Sequence, residues 1–100
     1  MPQEFLSLAI WEPLPGMEDA SLATMGELSG LISKKGYGRD LLYRGRESHY
    51  VLLRYWNSED ARQIALEDPE LLRCWARLGN EIRTLEVYEK LEAFSEEKKT

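Results

Sequence analysis

The sequence predicts an α+β domain with a ferredoxin-like βαββαβ order of elements and a four-stranded antiparallel sheet. Four segments have the residue pattern of strands, and two others repeat apolar residues at helical spacing. The connections between these segments are short, which places both helices on one face of the sheet. The chain has 100 residues, of which 43% are hydrophobic, so it accommodates one domain.

The first predicted strand runs from Phe5 to Trp11, where apolar residues occupy both alternating faces. Pro13 ends it because proline cannot donate a hydrogen bond to a neighbouring strand. The first predicted helix covers residues 18–35, with acidic residues in its first turn and lysines in its last, as the helix dipole favours. Gly36 is then suited to a left-handed C-cap.

Gly26 and Gly30 lie four residues apart on one face of this helix. Each costs about 1 kcal/mol relative to alanine inside a helix. We expect them to allow close packing against the sheet. The alternative is that they leave room for a ligand beneath the helix.

A hairpin follows, with predicted strands Arg39 to Arg44 and His49 to Trp56 joined by a tight turn at Gly45. The second strand carries apolar residues on both faces, which a strand with one wet face does not: Val51, Leu53 and Tyr55 alternate with Tyr50, Leu52 and Trp56. The helices cover one face, and an exposed apolar face marks an interface. The sequence therefore predicts a homodimer whose open sheet faces pack together.

The second helical region begins at the N-cap residues Asn57 and Ser58 and runs to about Glu67. Asp68-Pro69 restarts it, with the aspartate as cap and the proline at the first helical position. The restarted part has one apolar face, formed by Leu71, Trp75, Leu78 and Ile82. The last predicted strand is Thr84 to Leu91. We assign residues 1–94 to the single domain and residues 95–100 to a polar C-terminal tail.

Composition excludes several classes of function. The net charge of −5 lacks the basic patch that nucleic acids and anionic membranes require. No apolar run approaches the roughly 20 residues of a membrane span, and the acidic start lacks the basic flank of a signal peptide. A single cysteine, Cys74, and a single histidine, His49, exclude an internal disulfide and a zinc site of the usual kinds. We expect a cytoplasmic protein, no metal, and a buried, inert thiol at Cys74.

The run from Tyr50 to Ala61 resembles the strand-to-helix segment of antibiotic biosynthesis monooxygenase (ABM) domains, in which a strand ends in tryptophan and acidic residues open a helix. Pro15-Gly16, Gly36-Tyr37 and Asp68-Pro69 occur in the order seen in that family, and the resemblance covers roughly residues 5 to 94. It implies a dimeric α/β barrel. The family includes cofactor-free oxygenases of aromatic polyketides, quinol monooxygenases and haem-degrading enzymes, so the resemblance alone does not determine the chemistry.

Residue by residue, the resemblance is partial. Trp56 matches the pocket tryptophan of the polyketide oxygenases, but Leu52 replaces their asparagine and Arg62 their tyrosine. Their pocket arginine falls within residues 73–75. Haem-degrading members need a helical histidine, whereas His49 begins a strand, so the resemblance implies an enzyme without a cofactor.

Cofactor-free oxygenation requires a dry apolar pocket, a hydrogen-bond donor for a substrate oxygen, and a base. The candidate catalytic residues are Trp56, His49, Arg54 and Arg62. The candidate substrate-binding residues are Trp56, Trp75, Tyr43, Tyr55 and Trp11, and Tyr50 is a further aromatic residue for the same pocket.

Each candidate has a structural alternative. The aromatic residues equally suit a core, and His49 equally suits a solvated or interface position beside the turn. Arg54 lies between apolar neighbours, so its charge must be paired or reach solvent. An interface pair with Glu86 or Glu89 explains it as well as an oxyanion role does.

Two functions follow. The first is a cofactor-independent monooxygenase acting on a small electron-rich aromatic compound, either a quinol or a polyketide-like molecule. The second is a non-catalytic dimeric module that binds a small molecule or a partner. The replaced polar positions Leu52 and Arg62 favour the second.

Overall fold

The computed structural model describes residues 5–93. The elements follow the chain as β1 (Phe5–Pro13), α1 (Glu18–Lys34), β2 (Gly38–Arg44), β3 (Tyr50–Trp56), α2 (Glu59–Ala65), α3 (Pro69–Leu78) and β4 (Ile82–Leu91). The four strands form one antiparallel sheet in the order β2-β3-β1-β4. The predicted α+β ferredoxin-like fold is confirmed, with α2 and α3 together forming the second helical region. The tail predicted for residues 95–100 lies outside the described residues.

The start of β4 differs from the prediction. Ile82 was expected on the apolar face of the second helical region, but α3 ends at Leu78 and Ile82 pairs with Pro13 in the sheet. Gly79 caps the helix, and the backbone N–H of Leu14 donates to the carbonyl of Glu81 over 2.9 Å. This bond ties the turn after α3 to the end of β1, so the chain enters the sheet two residues earlier than predicted.

The β2–β3 connection is a five-residue loop, not a tight turn at Gly45. The Gly45 N–H donates to the carbonyl of His49 over 2.7 Å and closes the loop. Glu47 and Ser48 both have positive φ, at 57° and 66°. Two consecutive left-handed residues reverse the chain here, and β3 consequently begins at Tyr50, one residue later than predicted.

The two faces of β3 have different environments. Tyr50, Leu52, Arg54 and Trp56 are buried, and all but the arginine belong to the core cluster with side chains of the three helices. Val51, Leu53 and Tyr55 are only partly buried. The β1 register places Ile10, Leu8 and Leu6 directly opposite these three residues, so they share one face. No described element covers this face, which we call the open face.

The exposed glycines contradict both expectations for α1. Gly26 and Gly30 are solvent-exposed, and a Cβ built on either would meet no atom within 4 Å. They therefore lie on the solvent side of α1 and do not face the sheet or the space beneath the helix. The close approach occurs instead at Gly38, where a Cβ would clash with the carbonyl oxygen of Tyr55 on the paired strand.

Asp68 joins the C-terminal end of α1 to the start of α3. Its carboxylate caps α3 by accepting from the Glu70 N–H over 2.9 Å, and it also accepts from the Tyr37 hydroxyl and the Lys35 ammonium over 2.6 and 2.9 Å. The hydrogen bond from Tyr37 and that from Lys35 hold the pKa of Asp68 well below its usual range. The predicted caps Asp68 and Ser58 are confirmed, and the Ser58 hydroxyl accepts from the Ala61 N–H. Asn57 does not cap the helix, and its side-chain amide donates to the Gly36 carbonyl instead. Within residues 5–93 no helix has the length and apolarity to cross a membrane.

Candidate functional site

A cleft lies between the helix-side face of the sheet and the helices. It consists of an inner lobe of ≈ 330 Å³ and an outer lobe of ≈ 290 Å³, which have five lining residues in common. These five residues are Ala9, Leu52, Arg54, Trp75 and Val87. The lobes are therefore parts of one space, which we call the cleft.

The cleft exists because the helices do not extend fully over β4. α1 packs on α3 and on β2, toward the opposite edge of the sheet. Val87, on the helix side of β4, consequently remains 53% exposed. The wall opposite β4 comes mainly from α3, where Trp75 lines both lobes.

All three tryptophans of the chain line the cleft. Trp11 lines the inner lobe, Trp56 the outer lobe, and Trp75 both. The indole N–H of Trp56 donates to the Ser7 hydroxyl over 3.0 Å, so its polar end is already occupied. Trp11 stacks on Tyr50 with ring centroids 4.7 Å apart, and its buried indole N–H has no acceptor within the described residues. The walls are thus largely aromatic and aliphatic.

Arg54 is the polar side chain that both lobes share. Its Nε donates to Asp40 Oδ1 over 2.6 Å and its Nη2 to Asp40 Oδ2 over 2.8 Å. The two side chains are 9% and 2% exposed. The Ser29 hydroxyl donates to Asp40 Oδ2 over 2.5 Å and holds the carboxylate from the α1 side. This arrangement, which we call the Ser29–Asp40–Arg54 network, fixes the guanidinium at the middle of the cleft.

The network leaves Arg54 a donor for a ligand. The bidentate pairing uses Nε and Nη2, and residues 5–93 provide no acceptor for Nη1. The guanidinium carbon lies 5.6 Å from the ring centre of Trp56. A ligand oxygen between the lobes can therefore accept a hydrogen bond from a rigidly held group.

Asp40 is a residue of the candidate site that the sequence pattern did not identify. The structural alternative to an oxyanion role for Arg54 was an interface pair with Glu86 or Glu89, but Arg54 pairs with Asp40 within the same sheet. Asp40 lies directly opposite Arg54 in the β2–β3 register. Arg44 and Tyr50 flank the loop and pair with each other. Asp40 precedes Arg44 by as many residues as Arg54 follows Tyr50, so Asp40 and Arg54 also face each other. The signal was present in the sequence, but its use required the loop boundaries.

Arg62 lies at the outer lobe with Glu89. Its Nη2 is 3.4 Å from Glu89 Oε1, and its Nη1 is 3.7 Å from Glu59 Oε2. The first of these ion pairs links α2 to β4, two elements on opposite sides of the outer lobe. Arg62 therefore contributes a paired charge to the rim of the cleft.

The other candidates lie elsewhere. Tyr43 pairs with Val51 and Tyr55 pairs with Leu6, which places both tyrosines on the open face, away from the cleft. His49 lies beside the loop, with Nε2 3.5 Å from Glu12 Oε1. The structure thus brings Trp11, Trp56, Trp75, Arg54 and Arg62 together and leaves Tyr43, Tyr55 and His49 outside.

Two further side chains bear on the chemistry. The Tyr50 hydroxyl donates to the Glu18 carboxylate, which raises the pKa of Tyr50. Cys74 is 1% exposed, and burial raises the pKa of its thiol, so it stays protonated at neutral pH. Residues 5–93 contain no group of three or more side chains arranged to hold a metal ion.

Sequence comparison finds no match: no protein-family model and no curated protein matches the chain. Structure comparison does find matches. SnoaB, a cofactor-independent oxygenase from Streptomyces nogalater, superposes with a TM-score of 0.75 at 18% identity, over 93% of this chain and 98% of SnoaB.

Two further solved structures have provisional assignments as antibiotic biosynthesis monooxygenases. The protein from Bacteroides thetaiotaomicron has a TM-score of 0.79 at 13% identity, covering 98% of this chain and 96% of that one. The protein from Chloroflexus aurantiacus has a TM-score of 0.75 at 15% identity, covering 94% and 97%. The structural neighbours are thus ABM family proteins, and the chain has the fold of that family. At these identities the likeness concerns the fold alone.

Proposed function

We propose that the chain is a cofactor-independent monooxygenase that oxidises a small electron-rich aromatic compound, either a quinol or a polyketide-like molecule. The observation that carries this proposal is the position of Arg54, a fixed donor in the middle of a cleft lined by all three tryptophans. SnoaB, which shares this fold, is a cofactor-independent oxygenase, and this supports the proposal.

The reaction makes few demands on the protein. An electron-rich ring with a C–H bond conjugated to its oxygen supplies all the electrons that O2 accepts. One oxygen atom enters the ring and the other leaves as water, so a quinol plus O2 gives a hydroxyquinone plus water. The protein has to bind the ring, exclude water and donate a hydrogen bond to the ring oxygen.

The residues of the cleft match these tasks. Trp56 and Trp75 provide aromatic surface for the ring, and Arg54 donates from Nη1 to its oxygen. The only carboxylate that lines the cleft within residues 5–93 is Glu89, which is paired with Arg62. Proton removal from the substrate therefore falls to solvent or to Glu89 at the rim.

We include in the proposal a homodimer formed through the open face. Leu41, Tyr43 and Tyr88 are exposed on this face beside partly buried Leu53 and Tyr55. A second copy would bury this surface and leave the cleft, on the opposite side of the sheet, open to ligand. A single domain over residues 1–94 and a cytoplasmic location complete the proposal.

The test follows oxygen uptake with a panel of quinols and anthrones, without added flavin or metal. We expect uptake with at least one compound and a loss of about 100-fold in kcat/KM on Arg54→Lys, which retains the charge beside Asp40 but removes the planar donor. Arg46→Lys, an exposed loop position outside the cleft, is the matched control. Uptake equal to buffer across the panel would contradict the proposal.

A second candidate is a non-catalytic binding module with the same cleft. The indole N–H of Trp56 is already engaged by Ser7, and Leu52 replaces the asparagine of the resembling oxygenases. This function predicts ligand binding in the cleft, detected by tryptophan fluorescence, without oxygen uptake from any compound that binds.

A further inference from the structure

The charged side chains of the cleft are balanced within the protein. Three of the lining residues carry charge: Arg54, Arg62 and Glu89. Asp40 neutralises Arg54 through two hydrogen bonds, and Arg62 is shared between Glu89 and Glu59. The cleft therefore has no positive charge in excess, although two arginines line it.

From this balance we infer that the cleft selects uncharged aromatic ligands with an oxygen acceptor and rejects the corresponding anions. The inference rests on the proposed function, because it concerns the ligand of the same cleft. It adds a property that neither the fold nor the aromatic lining requires, namely discrimination by charge.

The discrimination arises from Asp40. A neutral carbonyl or phenol oxygen accepts from Nη1 of Arg54 and leaves the existing pair intact. A carboxylate at the same place adds a second negative charge beside Asp40, whose side chain is 2% exposed and held by Ser29. Because charges interact strongly in such a weakly screened site, the repulsion offsets the attraction of Arg54.

The rest of the chain acts in the same direction. Glu89 is the lining residue of the outer lobe that is most exposed at the rim, and the protein carries a net charge of −5. An anion approaching the cleft thus meets negative potential before it reaches Arg54. A neutral ring meets no such barrier.

The test compares two probes with the same ring system. 1-Naphthol is neutral at pH 7 and 1-naphthoate is an anion, and both are small enough for a lobe of ≈ 330 Å³. The indole N–H signals of Trp11, Trp56 and Trp75 in ¹H–¹⁵N spectra report binding, because all three tryptophans line the cleft. We expect naphthol to shift these signals and naphthoate to bind at least about tenfold more weakly.

The Asp40→Asn variant should reverse this order. It keeps the shape of the side chain and leaves Arg54 with an uncompensated charge, so naphthoate should gain at least about tenfold relative to naphthol. Glu47→Gln removes one negative charge in the exposed β2–β3 loop and should leave the ratio unchanged. If Asp40→Asn does not fold, the double variant Arg54→Met/Asp40→Leu replaces it, and in that protein naphthol should bind more weakly while naphthoate gains nothing.

Equal affinity for the two probes, an absence of binding by both, or an unchanged ratio in a folded Asp40→Asn protein would each overturn the inference. Oxygen uptake is measured separately. Selective naphthol binding without uptake by any quinol or anthrone would refute the proposed oxygenase and leave the charge selection intact.

Discussion

Asp40 and Arg54 lie opposite each other on β2 and β3 and form two hydrogen bonds of 2.6 and 2.8 Å. Both side chains are almost completely buried. Transferring two charges from water into the protein interior costs free energy, which their mutual attraction offsets. If one partner is removed, the other is left as a buried charge without that compensation. The same two residues therefore join β2 to β3 and hold the guanidinium of Arg54 in place within the cleft.

Removing one partner should destabilise the protein strongly. We expect Asp40→Leu to lower the free energy of unfolding by about 3–5 kcal/mol, because Arg54 is left buried and unpaired. The double variant Arg54→Met/Asp40→Leu should recover most of this loss, since neither charge remains. Urea denaturation of the two variants and the wild type measures both values.

An exposed substitution serves as the control for this cycle. Asp60→Leu, at a solvent-exposed position of α2, should change the free energy of unfolding by less than about 1 kcal/mol. A single Asp40→Leu variant as stable as the double variant would show that the pair does not matter to the fold.

The free energy of unfolding should fall in acid because the carboxylate of Asp68 becomes protonated. Its carboxyl has a lower pKa in the folded chain than its ordinary value, chiefly because of the hydrogen bond from Tyr37 and that from Lys35. The ionised form is thus the one that the fold stabilises. This stabilisation is complete above the unfolded pKa of about 3.9 and is lost as the pH falls through the lower folded value.

Asp68→Asn tests the linkage because it keeps an oxygen for the α3 cap and removes the charge. We expect the difference in the free energy of unfolding between wild type and Asp68→Asn to be largest at pH 7 and to shrink steadily below about pH 4. Glu67→Gln, the exposed neighbouring residue, should show no such narrowing. A difference that is the same at pH 7 and pH 2 would mean that Asp68 contributes through its cap alone.

The two exposed glycines of α1 should be sites of stabilisation. Gly26→Ala and Gly30→Ala should each raise the free energy of unfolding by roughly 0.5–1 kcal/mol, because a Cβ there meets no atom and the unfolded chain loses freedom. Gly38→Ala is the opposite case, since its Cβ would clash with the Tyr55 carbonyl, and it should destabilise. Thermal denaturation of the three variants shows whether each substitution raises or lowers the stability of the fold. A loss of stability in Gly26→Ala would contradict the prediction and would indicate that this position contacts another copy of the chain.

Much of this fold could be predicted because local chemistry specified it. The alternation along β3 correctly separated Tyr50, Leu52 and Trp56 from Val51, Leu53 and Tyr55. Asp68-Pro69 likewise predicted the break between α2 and α3, since an aspartate cap and a proline at the first helical position both favour a new start. These features depend on a few adjacent residues.

The cleft could not be predicted in the same way. Its existence depends on how far the helices extend over β4, which no local pattern near Val87 records. Tyr43 and Tyr55 suit a pocket by residue type, but the register places them on the open face. Asp40 escaped notice because its role appears only when β2 and β3 are aligned across the loop. Long-range register, not composition, determined the site.

Leu53 occupies the middle of the open face and provides the test of the proposed homodimer. It lies on β3, between β1 and β2, and pairs with Leu8 on one side and Leu41 on the other. An aspartate at this position would place a charge in the centre of the apolar surface that two copies bury. We expect the wild type to sediment as a dimer at micromolar concentration and Leu53→Asp to sediment as a folded monomer. Leu72→Asp, at an exposed leucine of α3 on the other side of the molecule, should remain dimeric. A wild-type monomer, or a dimer that Leu72→Asp disrupts and Leu53→Asp does not, would place the interface elsewhere.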